Sequence, residues 1–187
     1  HLELAVISGN IDIFDCNART VTTIDNGNIL INGLNGNLKS STTLGESLIT
    51  NFEGESCVFD INVGNLKVNK INSNLDVNID IGSININNLQ GSVSLFTGKG
   101  EINLNNIIGA VNCNTNFGNV NGTNLFGRVN VNSELGDIVI NKGYNSFLKD
   151  HSVNLITQRG SITIRLPSEL PYAINSQCNN LETRSAI

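Results

Sequence analysis

Glycine recurs every nine residues through most of this chain of 187 residues. The first series comprises Gly9, Gly27, Gly36, Gly45 and Gly54. After a shift of one residue, the second comprises Gly64, Gly82, Gly91, Gly100, Gly109, Gly118, Gly127 and Gly136. Ala18 and Ser73 occupy two of the vacant positions in this lattice. A fixed period of this kind is typical of repeat architectures, in which short units stack on their neighbours.

Each nine-residue unit alternates apolar and polar residues. In the units that begin at Gly82, the sequence reads GSININNLQ, GSVSLFTGK, GEINLNNII, GAVNCNTNF, GNVNGTNLF, GRVNVNSEL and GDIVINKGY. The third residue is Ile or Val and the fifth is mostly aliphatic, whereas the fourth and sixth are mostly polar. A period of two predicts a β-strand with one buried face. The glycine predicts the bend before each strand, where positive φ or close backbone approach is required.

The units also alternate with one another, so that the true period is eighteen. In one set the eighth residue is apolar, as at Cys16, Leu34, Phe52, Ile71, Leu89, Ile107 and Leu125. In the other set the eighth residue is mostly polar and the ninth is often apolar, as at Leu44, Ile81, Phe117 and Leu135. We therefore expect the third, fifth, and eighth or ninth residues to point into a narrow core.

This pattern predicts an all-β fold, a right-handed parallel β-helix with 18-residue coils and two short strands per coil. About nine coils start at Gly9, Gly27, Gly45, Gly64, Gly82, Gly100, Gly118, Gly136 and Gly160. We expect one solenoid domain over residues 1–187, with an insertion at about 144–151 and an irregular closing segment at 166–187. The absence of methionine indicates a mature product or a fragment of a longer chain.

Asparagine dominates the outward positions, with 34 in the chain. The period places Asn69, Asn87 and Asn105 in one column, and Asn85, Asn103 and Asn121 in another. Stacked amides of this kind can hydrogen-bond along the column, as they do in cross-β stacks.

Charge and cysteine spacing exclude several classes of function. Eleven scattered basic residues against sixteen acidic ones, net charge −5, do not supply a nucleic-acid-binding surface. No apolar run approaches the ~20 residues of a membrane span, so we expect no membrane insertion. Cys16, Cys57, Cys113 and Cys178 are widely spaced, which favours small buried side chains over a zinc site and leaves one disulfide open. We expect no metal and no cofactor.

One segment interrupts the lattice and provides the candidate site. Six extra residues fit between Tyr144 and His151. Loops that break a rigid scaffold often carry function, so Tyr144, Phe147, Lys149 and His151 are the candidate binding residues. The alternative is a structural bulge in which Phe147 and Leu148 cover the core. We predict no catalytic residues, because Asp12, Asp76, Glu101 and Asp137 are dispersed along the coils.

Three runs, GSININNLQGSVSLFTGKGEINL, GNVNGTNLFGRVNVNSELGDIVI and RGSITIRLPSELPYAINSQCNN, resemble the DUF4097 or adhesin-like β-strand-repeat family. Gly160, Ile162, Ile164, Leu166 and Pro167 match its closing element, a Gly-x-Ile-x-Ile strand followed by Leu-Pro. The resemblance implies a right-handed parallel β-helix. It also implies an adhesin-like role, as in bacterial members, or a mitochondrial location, as in some eukaryotic ones.

Three functions follow as hypotheses. The first is a non-catalytic structural or adhesion-like module that binds a protein or cell-surface component, or stacks end to end through its unpaired strand edges. The second is a subunit of a large assembly, for which the resemblance implies a mitochondrial location. The third is a polysaccharide-acting enzyme with its site near His151 or after Pro167. The sequence leaves the location open between the cell surface or extracellular space and the mitochondrion.

Overall fold

The computed structural model describes residues 1–169 with their side chains, and two further strands, 174–177 and 181–185, as backbone. All regular structure in these residues is β-strand, and none of it is helix. The strands are β1 Leu2–Ser8, β2 Ile11–Asn17, β3 Thr20–Asn26, β4 Ile29–Asn35, β5 Leu38–Leu44, β6 Ser47–Val63, β7 Leu66–Ile81, β8 Ile84–Gln90, β9 Val93–Lys99, β10 Ile102–Ile108, β11 Val111–Phe117, β12 Val120–Phe126, β13 Val129–Leu135, β14 Ile138–Lys142, β15 Val153–Arg159, β16 Ile162–Leu166, β17 Ile174–Gln177 and β18 Leu181–Ser185.

Strands pair in parallel with the strands one coil before and after them. Ile102 of β10 lies between Ile84 of β8 and Val120 of β12, eighteen residues away in each direction. β6 and β7 are double-length strands that run through one corner without a break. β1 to β14 therefore form about eight turns, and β15 and β16 add one more after an interruption. The predicted all-β, parallel solenoid with 18-residue coils is confirmed; its hand stays a prediction.

Each coil has two unlike sides. Side A consists of β2, β4, the first halves of β6 and β7, β8, β10, β12, β14, β16 and β18. Side B consists of β1, β3, β5, the second halves of β6 and β7, β9, β11, β13, β15 and β17. β17 pairs with β15 and β18 with β16, so strands within the predicted irregular segment 166–187 continue both columns.

Side A buries its third, fifth and eighth residues because its seventh residue is left-handed. In β10, Ile102, Leu104 and Ile107 point inward, while Asn106 has φ of 57°. One column of this kind runs through Asp15, Gly33, Asn51, Lys70, Asn88, Asn106 and Asn124. A left-handed residue acts as a bulge that shifts the alternation by one, which returns the eighth side chain to the core. The expectation for the eighth position is confirmed.

Side B follows strict alternation, and here one expectation is wrong. Its third, fifth and seventh residues point inward, so that small polar side chains such as Thr97 and Ser133 are buried. The ninth residues lie outside: Leu44, Ile81 and Phe117 are exposed, although the sequence pattern assigned them to the core. Alternation alone would turn them inward, but they stand at the corner where the chain swings away towards the next glycine.

The glycine corners are explained by close backbone approach. Gly100 has φ of 154°, and a Cβ there would lie 2.0 Å from the carbonyl oxygen of Gly82 in the coil before. The residue after the glycine ties the corners together. The Asn65 side chain accepts a hydrogen bond of 2.8 Å from the Ser83 amide one coil further on. From Gly27 onward, the corner glycines therefore cannot be replaced without moving the backbone of the coil before, whereas a Cβ at Gly9, in the first coil, would meet only the Val6 side chain.

The cysteines behave as buried side chains where the structure describes them. Cys57 and Cys113 are buried and Cys16 is half-buried, and all three are unpaired thiols. Burial raises the pKa of Cys113 to about 12 and also raises that of Cys57, so neither thiol is reactive near neutral pH. Cys178 lies outside the described residues.

Candidate functional site

The loop over residues 143–152 replaces a corner of the solenoid. Val129 pairs with Val153, which lies 24 rather than 18 residues further on, so the predicted six-residue insertion is present. Asn145 organises the loop, because its carbonyl oxygen accepts a 3.1 Å bond from the Leu148 amide and its side chain a 3.0 Å bond from the Phe147 amide. Asp150 accepts a 2.9 Å bond from the Ser152 amide where the chain returns to β15.

The structure brings two of the four predicted site residues together. The rings of Tyr144 and His151 have centroids 5.2 Å apart and are tilted by 41°. Phe147 and Lys149 are both exposed, and Phe147 is 93% exposed. The alternative in which Phe147 covers the core is therefore wrong, while Leu148 is half-buried.

His151 stands at a corner of the solenoid. The register of β15 places it where Gly127 stands one turn earlier, so it occupies a corner. Its Nδ1 is buried and has no hydrogen-bond partner among the described residues. A catalytic histidine of the triad type needs a third group at this nitrogen to fix its tautomer and orientation. The contact between Tyr144 and His151 is therefore best described as ring packing.

Lys142, which was not among the predicted site residues, is the most unusual group at this loop. β14 lacks the left-handed residue of side A, so that Lys142 pairs with Leu125 and points into the column of apolar eighth residues. Its side chain is only 7% exposed. Its ammonium group donates to the carbonyl oxygens of Leu125, at 3.0 Å, and Gly127. Lys142 therefore supplies hydrogen-bond donors to main-chain carbonyl groups at the corner that the loop replaces.

The electrostatics of the loop follow from this burial. Desolvation lowers the pKa of Lys142 to about 8, against the opposing attraction of Asp150. The pKa of Asp150 is lowered, chiefly by its hydrogen bonds from Ser152 and also by the charges of Arg128 and His151. In the sequence, Lys142 is the seventh residue of its unit, a position that points outward on side A. Its place among the buried eighth residues follows only from the absence of the left-handed residue in β14.

A second surface stands at the corner between side B and side A. We call it the corner ridge: Leu44, Val63, Ile81, Lys99 and Phe117, which are stacked in consecutive coils by the strand register. Its four apolar members are 48%, 40%, 51% and 51% exposed, in chain order. Ser8 and Asn26 precede the ridge in the same column, and Leu135 and Arg159 follow it. Large apolar side chains are therefore aligned on the surface.

A shallow groove of about 460 Å³ follows the left-handed column of side A. Its walls and floor are formed by Asn51, Phe52, Glu53, Lys70, Ile71, Asn72, Asn88, Leu89, Gln90, Asn106 and Ile108. Two wall amides are hydrogen-bonded to neighbouring coils: Asn106 donates to Asn88 at 2.8 Å, and Asn88 donates at 3.0 Å to Asn69, which lies outside the groove. These bonds favour a structural role for this wall.

The predicted asparagine ladders are confirmed in part. Asn103 donates to Asn85 at 3.2 Å, and Asn121 donates to Asn103 at 3.0 Å. In the second column, Asn105 donates to Asn87 at 3.4 Å. Asn69 instead accepts its bond from the left-handed Asn88, so that its predicted bond to Asn87 is replaced. The ladders thus link the outer surfaces of neighbouring coils through side-chain hydrogen bonds.

In the part of the chain that the structure describes, no group of three or more His, Cys, Asp or Glu side chains is placed to hold a metal ion. Across the same residues, no helix has the length and apolar character of a membrane span.

The chain was compared with known proteins in three ways. A scan against protein-family models, a search of curated proteins and a search of solved structures each found no match. The resemblance to the adhesin-like β-strand-repeat family therefore stays a prediction.

Proposed function

We propose that this chain is a non-catalytic structural, adhesion-like module that binds a protein or cell-surface component through its regular outer surface. The observation that carries this proposal is the corner ridge. Surface apolar residues are usually scattered singly, and apolar patches that are contiguous mark interaction sites. Here Leu44, Val63 and Ile81 occupy the same position in three consecutive coils, about 4.8 Å apart.

The scaffold beneath the ridge supports this function. The residues behind it, such as Ile61 and Ile79, are buried, and the backbone on both sides is held by parallel pairing to neighbouring coils. A surface that is already in its binding conformation loses little conformational entropy on association. A rigid ridge therefore suits a module whose task is to hold a partner.

The interrupted corner is a second proposed contact. Tyr144, Phe147, Lys149 and His151 form a protruding loop whose Phe147 ring is almost fully exposed. Aromatic side chains are enriched among the residues that dominate protein interfaces. The resemblance to adhesin-like proteins supports the same function, and membership of a larger assembly would use the same two surfaces.

The test compares partner capture by three forms of the chain. The ridge variant carries Leu44→Ser, Val63→Ser and Ile81→Asn, residue types that Ser8 and Asn26 already place in this column. The control is Leu48→Asn, which removes an exposed leucine from side A, in the column where Asn85 and Asn103 stand. Each form is immobilised at equal density and exposed to extract and intact cells of the source organism.

We expect a component that the wild type and the control retain and that the ridge variant loses. Equal retention by the ridge variant would refute the ridge as the binding surface. Phe147→Ser, measured alongside, tests the loop contact. Turnover of a polysaccharide substrate by the wild type that His151→Ala abolishes would contradict the non-catalytic function.

A further inference from the structure

We propose that the corner ridge binds a basic amphipathic helix of a partner protein. The inference rests on the proposed function and names the partner's chemistry. It comes from the charges that surround the ridge, from the spacing of its rows, and from the exposure of its apolar side chains.

Acidic side chains gather along both flanks of the column that contains the ridge. Asp25, Asp80 and Glu134 each precede a residue of this column, and Glu46, Glu101 and Asp137 each follow one after the corner glycine. These six are exposed, and they are six of the sixteen acidic residues in the chain. Within the described residues none of them forms an ion pair. Their charges are therefore available to a partner.

The column itself carries two basic residues, Lys99 and Arg159, against these six carboxylates. Three of the six carboxylates, Glu46, Asp80 and Glu101, flank the ridge itself, and the other three flank the ends of its column. Apolar side chains bordered by carboxylates complement an apolar stripe with lysine or arginine on either side. Complementary potentials of this kind favour correct partners and disfavour acidic ones.

The spacing of the rows favours a helix over an extended peptide. Coils repeat about every 4.8 Å, an α-helix presents one turn about every 5.4 Å, and alternate residues of a strand are about 6.6 Å apart. Over the four steps from Leu44 to Phe117, a helix falls out of step by about 2 Å and a strand by about 7 Å. A helix that lies along the solenoid axis can therefore place one apolar side chain per coil.

The probe is a synthetic helical peptide of leucine and lysine, with leucine at i, i+3, i+4 and i+7 and lysine elsewhere. Its counterpart carries glutamate in place of every lysine. Binding of each labelled peptide to the 187-residue chain is measured by fluorescence anisotropy, with sedimentation to verify that each protein variant has the wild-type oligomeric state.

Two protein variants separate local charge from net charge. The flank variant converts Asp25, Glu46, Asp80, Glu101, Glu134 and Asp137 to their amides. The matched control converts six other acidic residues, Asp12, Asp15, Glu53, Glu55, Asp60 and Asp76, to theirs. Both variants carry the same net charge, and amides keep the side-chain oxygen that accepts bonds such as Ser161 N to Asp137.

We expect the lysine peptide to bind the wild type, and the ridge variant and the flank variant each to bind it at least about tenfold more weakly. The matched control should change the affinity by less than about twofold. Asp12, Asp15, Glu53 and Glu55 lie on side A or at the opposite corner, and Asp60 and Asp76 lie roughly 10 and 16 Å along side B from the ridge. Binding should weaken between about 0.1 and 1 M salt, where the Debye length falls from about 10 to 3 Å.

Three results would overturn the inference: no binding of the lysine peptide by the wild type, equal binding of the glutamate peptide, or equal weakening by the flank variant and the matched control. Equal weakening by the two variants would show that peptide affinity depends only on the net charge of the protein. The capture experiment keeps the proposed function separate. A native partner that is lost with the ridge variant but retained by the flank variant would leave that function standing and remove the basic helix.

Discussion

At the scale of single residues, one left-handed position per coil gives side A its shape. Asn88 and Asn106 have φ of 57° in this column, and Gly33 occupies it with φ of 78°. Glycine adopts this conformation freely, and asparagine adopts it more readily than most residues do, whereas β-branched residues are strained there. Backbone conformation, and not burial, therefore restricts the residue type in this column, which contains no β-branched residue.

We expect Asn106→Val to destabilise the chain by about 1–2 kcal/mol relative to Asn106→Gly, because valine is strained in the left-handed region. Both variants lose the bond from Asn106 to Asn88, so that loss cancels from their difference. Urea unfolding of both variants gives the comparison.

The control for this prediction is Asn105→Val, one residue earlier in β10. Asn105 is an exposed residue outside the left-handed column, and valine is favourable in an extended strand. We expect no more than about 0.5 kcal/mol of change there. An Asn106→Val variant as stable as the glycine variant would show that the column tolerates any residue.

At the scale of elements, β14 ends the regular solenoid and places a lysine in the core. Lys142 replaces an aliphatic side chain and donates to two main-chain carbonyl groups. Its desolvation disfavours the charged form in the folded state, where its pKa is about 8 instead of 10.5. Between these values the unfolded chain holds the proton that the folded chain has released, so this group makes stability rise with pH.

We therefore expect the wild type to gain about 1–3 kcal/mol of stability relative to Lys142→Met between pH 8 and 10.5, since one pKa unit corresponds to about 1.4 kcal/mol. The buried thiols Cys57 and Cys113 act in the opposite direction above pH 9, because their pKa values are raised on folding. Both proteins contain them, so the difference between the two urea-unfolding curves cancels their contribution.

Lys149→Met is the matched control for this measurement, since Lys149 lies in the same loop but is exposed. Its stability should follow the wild type across the same pH range. Parallel pH profiles for the wild type and Lys142→Met would refute the proposed effect of burial.

Residues of β10, β11 and β14 show which features of the fold and of the candidate site the sequence predicts and which it does not. The strand positions that alternate strictly, such as Ile102 and Leu104, were predictable because a period of two has only one buried face. Phe117 was assigned to the core wrongly because its direction depends on how the chain leaves side B at the corner. The burial of Lys142 was not predicted because β14 omits one residue of the repeat, and no local sequence feature indicates that omission. The contact between Tyr144 and His151 depends on a loop conformation with no repeat to define it.

At the scale of the whole molecule, the solenoid is nearly one-dimensional. β10 pairs with β8 and β12, and β11 pairs with β9 and β13. The stability of such a chain is approximately a sum over coils and the interfaces between neighbouring coils. A complete coil should therefore be removable, provided that the remaining coils meet in register.

We expect deletion of residues 100–117 to leave a folded protein, because Lys99 then precedes Gly118 and side A still stacks on side A. The deletion removes 18 of 187 residues, so the urea m-value should fall by about a tenth, in proportion to the surface that unfolding exposes.

Deletion of residues 109–117 is the matched control. It removes only half a coil and joins β10 to β12, so that side A strands occupy side B for the rest of the chain. Side A strands, with their left-handed seventh residues, would then stack on side B strands, which alternate strictly. We therefore expect loss of cooperative unfolding. Circular dichroism and urea unfolding distinguish the two deletions, and equal stability of both would mean that nine residues, and not eighteen, form the repeating unit of this fold.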